Sequence, residues 1–270
     1  MSEASQKRAR GADAIDLTTE DVSPREKKMR ESINGVAAEL LCPITQELPF
    51  DPVMAKDGKI YERTAILEWF RKKDGDATSP STGKVIGTEL LPAVQTKNTI
   101  EMLVKSGAIV GEIAEAWKEK LADEKEVKEM RTKAEGGDGL AMWTLGVWYQ
   151  NGMKGLAKDL AQARAWYGRS AAVRYPRGTA SFGHFLLDGL GGPQDDVFGV
   201  MNVTEAAGLG SDLSAYRLGW AFFEGGHGLP KDPVRARFWI KKVVEGECTH
   251  KHLTDQAIAE AANWLRELDQ

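Results

Sequence analysis

"LLCPITQELPFDPV", residues 40–53, opens like a small metal-bound module: a Cys-Pro-Ile turn, a polar step, then Asp-Pro-Val. A fold organised by zinc needs at least three further Cys or His at short spacings. Between Ile33 and Ala108 the sequence offers one cysteine, Cys42, and no histidine. Whatever fixes this segment must therefore do so without a metal.

Around that stretch, residues 35–108 alternate short apolar runs with chain breaks at Pro49, Pro52, Asp57-Gly58 and Asp74-Gly75. The run from Thr64 to Lys72 reads as a helix presenting Ile66, Leu67, Trp69 and Phe70, so the segment is expected to be a small mixed α/β unit. In front of it, residues 1–34 carry few sizeable aliphatics, Ile15, Leu17 and Val22 among them, too few to offset the entropy of ordering the backbone, and a flexible tail is expected. Behind it, residues 109–133 lack proline and place Ile109, Ile113, Trp117 and Leu121 four apart. That spacing predicts a connector helix with one apolar stripe, either a spacer or the seam of a homodimer.

From Ala134 the chain repeats itself. Leu145-Gly146, Phe182-Gly183 and Leu218-Gly219 recur at 183−146 = 37 and 219−183 = 36, and Gly152, Gly189 and Gly225 keep the same steps. Lys158-Asp159 and Lys231-Asp232 stand 73 apart, as do Trp166 and Trp239. Helical segments at this period predict an α-solenoid of helix pairs over residues 134–248, closed by a capping helix within 249–270 that puts Ala257, Ala261, Trp264, Leu265 and Leu268 on one side. Counting on from Ala163 and Trp166 lands on Val200 and Val203, which makes the second repeat degenerate. The recurrent Trp and Tyr residues are read as packing, because their spacing already explains them. The expected fold is therefore multidomain: a small α/β unit, a connector helix and an all-α solenoid.

Global properties narrow the function classes. The 270 residues are 42% hydrophobic, enough for packed cores, and the net charge of −4 gives no overall attraction to nucleic acid. The polar start MSEASQKRAR and the lack of any long apolar stretch lead to the expectation of a soluble, intracellular protein with no membrane partner. Cys42 and Cys248 are too far apart to suggest a disulfide framework, which fits a reducing compartment.

Two resemblances follow from these residues. The repeats are similar to Sel-one-like repeats, relatives of the tetratricopeptide family, through Ala141, Leu145, Gly146, Tyr149, Gly152, Lys158, Asp159, Ala163, Trp166 and Tyr167 in the first copy. The earlier segment resembles a U-box, the metal-free relative of the RING domain, through Cys42-Pro43-Ile44, Asp51-Pro52-Val53, Asp57-Gly58, Tyr61-Glu62-Arg63, Trp69, Ser79-Pro80, Thr82 and Leu91-Pro92. Its loops must be held by hydrogen bonds and ion pairs, for which Glu47, Lys56, Asp57, Glu62, Arg63, Ser79 and Thr82 supply partners. Cys42 is expected to be buried packing and not a nucleophile.

The resemblance implies a ubiquitin ligase that docks a ubiquitin-conjugating enzyme and orients its ubiquitin for attack by a substrate lysine, with no covalent intermediate, no catalytic nucleophile, no cofactor and no metal. Carried over, the docking surface is Ile44, Trp69 and Pro80, expected to be exposed apolar groups. The sequence departs from the pattern twice. Gly83 stands where many active U-boxes have a ubiquitin-restraining Arg, leaving Lys84 as a substitute without the planar fork, and Ala93 stands where the family has a loop-bonding Asn. These departures support an alternative, a non-catalytic scaffold with a degenerate U-box.

In the tail, "AIDLTTED", residues 14–21, resembles a SUMO-interacting motif in which Ile15, Asp16 and Leu17 would add as a strand to SUMO. The basic clusters on either side resemble a bipartite import signal, which implies a nuclear and/or cytoplasmic location. The repeats, or this tail, would hold the protein substrate. His250-x-His252 is the one hint of a metal or thiol enzyme, and a loop or helix start explains it equally well.

Overall fold

The computed structural model describes residues 35–72 and 77–270. The expected Asp74-Gly75 break and the tail residues Ile15, Asp16 and Leu17 lie outside the described residues. The chain divides into two compact units, with the boundary between Ala122 and Asp123.

In the first unit, β1 (Pro52–Met54) pairs antiparallel with β2 (Ile60–Glu62) on one side and β3 (Leu91–Pro92) on the other. Val53 sits opposite both Tyr61 and Pro92. The proline at 92 is tolerated because β3 is an edge strand. Helix α1 (Arg63–Lys72) follows β2 directly and buries Ile66 with Cys42, Val53, Tyr61 and Ile86. Helix α2 (Val94–Lys105) buries Ile100 and Val104 in a second cluster with Leu48 and Trp117.

Helix α3 (Glu112–Glu135) crosses the unit boundary, and each end belongs to a core. Its first turns contribute Ala114, Trp117 and Leu121 to the cluster around Leu48 and Ile100, while Val127, Met130 and Ala134 pack with Ala141, Leu145 and Trp148. The part of the four-residue stripe that lies on the helix, Ile113, Trp117 and Leu121, packs within the chain against the cluster around Leu48 and Ile100. Ile109 is not on the helix: it precedes Gly111, whose φ of 84° turns the chain before Glu112.

The second unit continues as α4 (Gly139–Asn151) with α5 (Leu160–Ala172), α6 (Pro176–Leu187) with α7 (Asp196–Gly208), and α8 (Asp212–Glu224) with α9 (Pro233–Val244), and ends in α10 (Asp255–Leu268). The second helix of each pair starts at an aspartate whose carboxylate accepts from backbone N–H groups: Asp159, Asp195 and Asp232.

These caps set the repeat register and correct the expectation for the second copy. Four residues past each cap stand Ala163, Gly199 and Ala236; seven past stand Trp166, Asn202 and Trp239; eight past stand Tyr167, Val203 and Ile240. The middle turn is one residue shorter, because 195−189 = 6 where 159−152 = 7 and 232−225 = 7. Counting a fixed period therefore overshoots by one, and Gly199, not Val200, is the counterpart of Ala163. Packing confirms the register: a Cβ added at Gly146, Gly183 or Gly219 would lie 2.4, 2.8 or 2.6 Å from Tyr167, Val203 or Ile240. At each pair the helices approach closely enough that only glycine fits.

Helix α10 closes the last pair. Ala261 is fully buried, and Ile258, Trp264, Leu265 and Leu268 pack against the cluster around Leu218 and Ile240. Trp166 and Trp239 are partly buried and packed against cores, in line with an architectural role. Among the described residues, no helix is long and apolar enough to cross a membrane.

Candidate functional site

The loop over residues 42–51 leaves the fold at Cys42 and returns at Asp51. Cys42 is fully buried, its N–H donates to the Glu47 carbonyl at 2.9 Å, and its Sγ accepts the Glu62 N–H at 3.2 Å. One oxygen of Glu62, Oε2, accepts from both the Phe50 and the Asp51 N–H, at 2.7 and 3.2 Å. Next to it, Arg63 Nε donates to Asp51 Oδ2 at 2.6 Å while the Arg63 N–H donates to the Asp51 carbonyl. A carboxylate and a guanidinium thus close the loop, and charge-assisted bonds of this kind are about twice as strong as neutral ones.

The second loop, residues 77–86, is closed by hydroxyls. Tyr61 is fully buried as a residue, and its hydroxyl donates to Asp57 Oδ2 at 2.8 Å and meets Ser81 Oγ at 3.0 Å. Ser79 Oγ accepts from the Ser81 and Thr82 N–H groups, and the Gly83 N–H donates to the Ser79 carbonyl. Burial pushes the Asp57 carboxyl up, but hydrogen bonds from Ser79, the Lys59 amide and Tyr61 outweigh it, so Asp57 sits below the ordinary carboxylate value. For Tyr61 burial dominates and raises the phenol. No group of three or more His, Cys, Asp and Glu among the described residues could hold a metal ion.

The expected docking residues lie on these loops and on α1: Ile44 on the first loop, Pro80 on the second and Trp69 on the helix. Ile44, Trp69 and Pro80 are each half-buried, which corrects the expectation of exposed apolar groups. Ile44 and Trp69 pack against the Cys42–Val53–Tyr61–Ile66 cluster, and the Trp69 indole N–H donates to the Thr78 carbonyl at 2.9 Å, two residues before Pro80. Helix α1 is thereby tied to the second loop. Its Leu67 is 49% exposed, an apolar surface residue that the sequence reading assigned only to the helix.

Two expected fasteners do other work. Glu47 uses its backbone in the loop while its carboxylate pairs with Lys120, and Lys56 pairs with Glu89, in both cases between exposed groups. The Tyr61 hydroxyl, Ser81 and Asp51 were not singled out as fasteners, although the Tyr-Glu-Arg triplet was the available signal. Lys84 is exposed beside Gly83, whose φ of 71° is a left-handed conformation that side chains resist. Ala93 is the N-cap of α2 and offers no side-chain cap. His250 and His252 lie in a segment stitched to the start of α8, where Asp212 Oδ2 accepts from the His252 and Leu253 N–H groups.

The U-box domain model matches residues 36–108, and the Sel1 repeat model matches 139–172, 181–211 and 212–243. The chain carries a U-box followed by three Sel1 repeats. The U-box stretch is 40% identical over 86 residues to U-box domain-containing protein 18 of Arabidopsis thaliana, covering 31% of this chain and 12% of that protein. It is 36% identical over 72 residues to a protein of Acanthamoeba polyphaga mimivirus named "Probable bifunctional E2/E3 enzyme R795", covering 27% of this chain and 5% of that one. The chain thus spans a small part of the curated relatives it matches. A Sel1 repeat protein from Oxalobacter formigenes aligns at 31% identity with a TM-score of 0.41, over 44% of this chain and 89% of that structure.

Proposed function

We propose that this protein is a U-box ubiquitin ligase: the U-box recruits a ubiquitin-conjugating enzyme carrying ubiquitin, and the Sel1 repeats hold the protein substrate. The observation that carries this reading is the pair of loops closed by side-chain hydrogen bonds, one by Glu62 and one by the Asp57–Tyr61–Ser79 network, with Ile44 on the first, Pro80 on the second and Trp69 tied to the second through the Thr78 carbonyl. Half-burial suits a landing surface, since these groups are braced from behind and keep one apolar side for a partner. Such a module lowers the barrier by restraining the carrier and its ubiquitin, and needs no ionisable catalytic residue. In this reading Lys84, exposed beside Gly83, stands in for the arginine that restrains ubiquitin. Recognition of SUMO through Ile15, Asp16 and Leu17, and a nuclear or cytoplasmic location, belong to the same proposal and rest on the tail sequence alone.

The test is a reconstituted transfer reaction with a panel of conjugating enzymes. Ubiquitin chains form with at least one of them, and Ile44→Ala reduces the rate by roughly thirtyfold, the scale of an interface anchor worth about 2 kcal/mol. Because Ile44 also braces the core, thermal unfolding of the variant is measured in parallel. Absence of transfer with every enzyme of the panel overturns the reading in favour of the scaffold, which Gly83 and the uncapped Ala93 motivate. Lys84→Arg then separates the two: it raises a ligase's rate and leaves a scaffold's at zero. It replaces the more obvious Gly83→Arg, which would strain a backbone at φ 71°.

A further inference from the structure

The repeat unit contains a pocket whose walls are incompletely satisfied. Trp143 on α4, Arg177, Ala180 and His184 on α6, Leu213 on α8 and His250 line it. It draws on the first helices of three successive pairs, so it is a product of their stacking and of no single repeat. Its cavity volume is about 90 Å³. Pockets for cofactors and metabolites run to about 300–1,000 Å³, and a cavity of about 150 Å³ takes up a benzene ring. The volume limits the occupant to a single side chain, and the carbon faces of Trp143, Ala180 and Leu213 on its walls suit an aliphatic one.

Most polar groups of the lining are already engaged. The Trp143 indole N–H donates to Ser181 Oγ at 3.1 Å, Ser211 Oγ caps α8 by accepting from the Ser214 N–H, and His250 Nδ1 lies 3.1 Å from Thr249 Oγ1. Two groups stand out against that background. His184 Nε2 is buried and has no hydrogen-bond partner among the described residues, where a finished core would have supplied one. Burial, helped by the Arg217 charge and opposed by Asp188, pushes this imidazole down to about 4, so the wall it forms is uncharged at neutral pH. Arg177 is exposed, stacks over the Trp143 ring at 5.0 Å, and has no carboxylate within ion-pair distance among the described residues. Its neighbours differ: Arg174 is paired with Glu205 and Arg217 with Asp188.

We infer that this pocket is a peptide-reading subsite, which takes one aliphatic side chain of an extended segment of a partner protein while Arg177 binds an acidic residue adjacent to it. The size and the apolar faces of Trp143, Ala180 and Leu213 set the aliphatic part, and the unmatched guanidinium sets the acidic part. The inference rests on the reading of the repeats as the part that holds substrate, and is independent of transfer by the U-box.

The test uses the full-length protein and short Gly/Ser peptides, immobilised on a biosensor, that differ in one dipeptide: Ile-Asp, Ala-Asp, Ile-Lys or Trp-Asp. The Ile-Asp peptide is retained at least about tenfold better than the other three. Ala180→Trp, which fills the pocket, removes the preference for Ile over Ala. Arg177→Gln, checked by thermal unfolding because it also removes the stacking on Trp143, removes the preference for Asp over Lys and keeps that for Ile. Equal retention of all four peptides, or preferences that survive both variants, overturns the inference. A tenfold gain in retention on deleting residues 1–34 also overturns it, since the occupant would then be this chain's own tail. Peptide retention measured with Ile44→Ala stays at the wild-type level even where transfer is lost, so failure of the ligase reading and failure of the subsite are separate results.

Discussion

In the U-box, positions that must not move are fixed by polar side chains: Glu62 Oε2 grips two backbone amides, and Tyr61, Asp57, Ser79 and Ser81 share one hydrogen-bonded cluster. In the repeats the corresponding work is done by missing atoms, because Gly146, Gly183 and Gly219 let Tyr167, Val203 and Ile240 press against a bare helix backbone. A loop has many backbone groups to satisfy and little apolar surface to bury, so it needs partners of defined direction. A helix pair satisfies its own backbone and needs only close approach. The two units should therefore fail under different insults.

The largest effect is expected from Gly219→Val. Its Cβ would lie 2.6 Å from Ile240 Cγ1 and 3.3 Å from the Ile240 nitrogen, so the helices must part. A loss of about 3 kcal/mol or more follows, at the upper end of overpacking costs. Urea unfolding followed by circular dichroism should show an earlier helical transition, while protection of the U-box amides of Phe50 and Asp51 in hydrogen exchange is unchanged. Loss of protection in both units would mean that the contrast between them is false.

Acid provides a second way to separate the units. His184 is held neutral in the folded repeats with its value down at about 4, against about 6.5 in an unfolded chain. Its contribution is thus complete above about pH 6.5 and is lost as the pH falls toward 4, because the unfolded state takes the proton first. The size is on the order of 3 kcal/mol. His184→Asn should flatten this pH dependence of repeat unfolding. For Asp57 the shift has the opposite chemistry: a carboxylate held below its usual value supports the folded U-box until the pH falls below the ordinary carboxylate range. Between pH 6.5 and 4 the repeats should therefore weaken before the U-box does.

A third expected effect is confined to the first loop. Glu62→Gln keeps the shape but replaces a charged acceptor by a neutral one that cannot serve both amides equally well, and should cost the U-box about 2 kcal/mol. Amide exchange at Phe50 and Asp51 checks it. A chelator, in contrast, should leave wild-type unfolding unchanged, and a shifted midpoint would restore metal to the account.

How far the sequence disclosed this arrangement differs between the units for the same physical reason. Helix pairs recur, so glycine steps of 37 and 36 were enough to read the solenoid. The one-residue-shorter middle turn escaped a count based on period, although Gln194-Asp195 carried the needed sign: an N-cap aspartate fixes where a helix begins, while a spacing of glycines spans a turn of any length. In the U-box the motif residues were legible and the loop fasteners partly so. The half-burial of Ile44, Trp69 and Pro80 was not, since exposure depends on which distant residues pack behind a loop, and here Cys42, Val53 and Ile66 do. Exposed Leu67 escaped for the same reason, lying among apolar neighbours on a short helix.

The smallest expected effect tests whether a departure from the U-box pattern concerns stability or chemistry. Ala93 sits at the N-cap of α2 with φ −97° and ψ 62°, and its own N–H is already used on the Pro52 carbonyl at 2.8 Å. Ala93→Asn would add a side-chain oxygen able to accept from N–H groups of the first turn, which Ala93 does not cap, and should stabilise the U-box by about 1 kcal/mol. If position 93 acts only through the helix end, the thermal midpoint rises by a few degrees while the rate of ubiquitin transfer at low temperature stays within a factor of two or so. A tenfold faster transfer with an unmoved midpoint would mean that the loop between β3 and α2 touches the carrier. The landing surface would then have to be extended from Ile44, Trp69 and Pro80 to a third loop, and the polar economy of the U-box would serve recognition as well as folding.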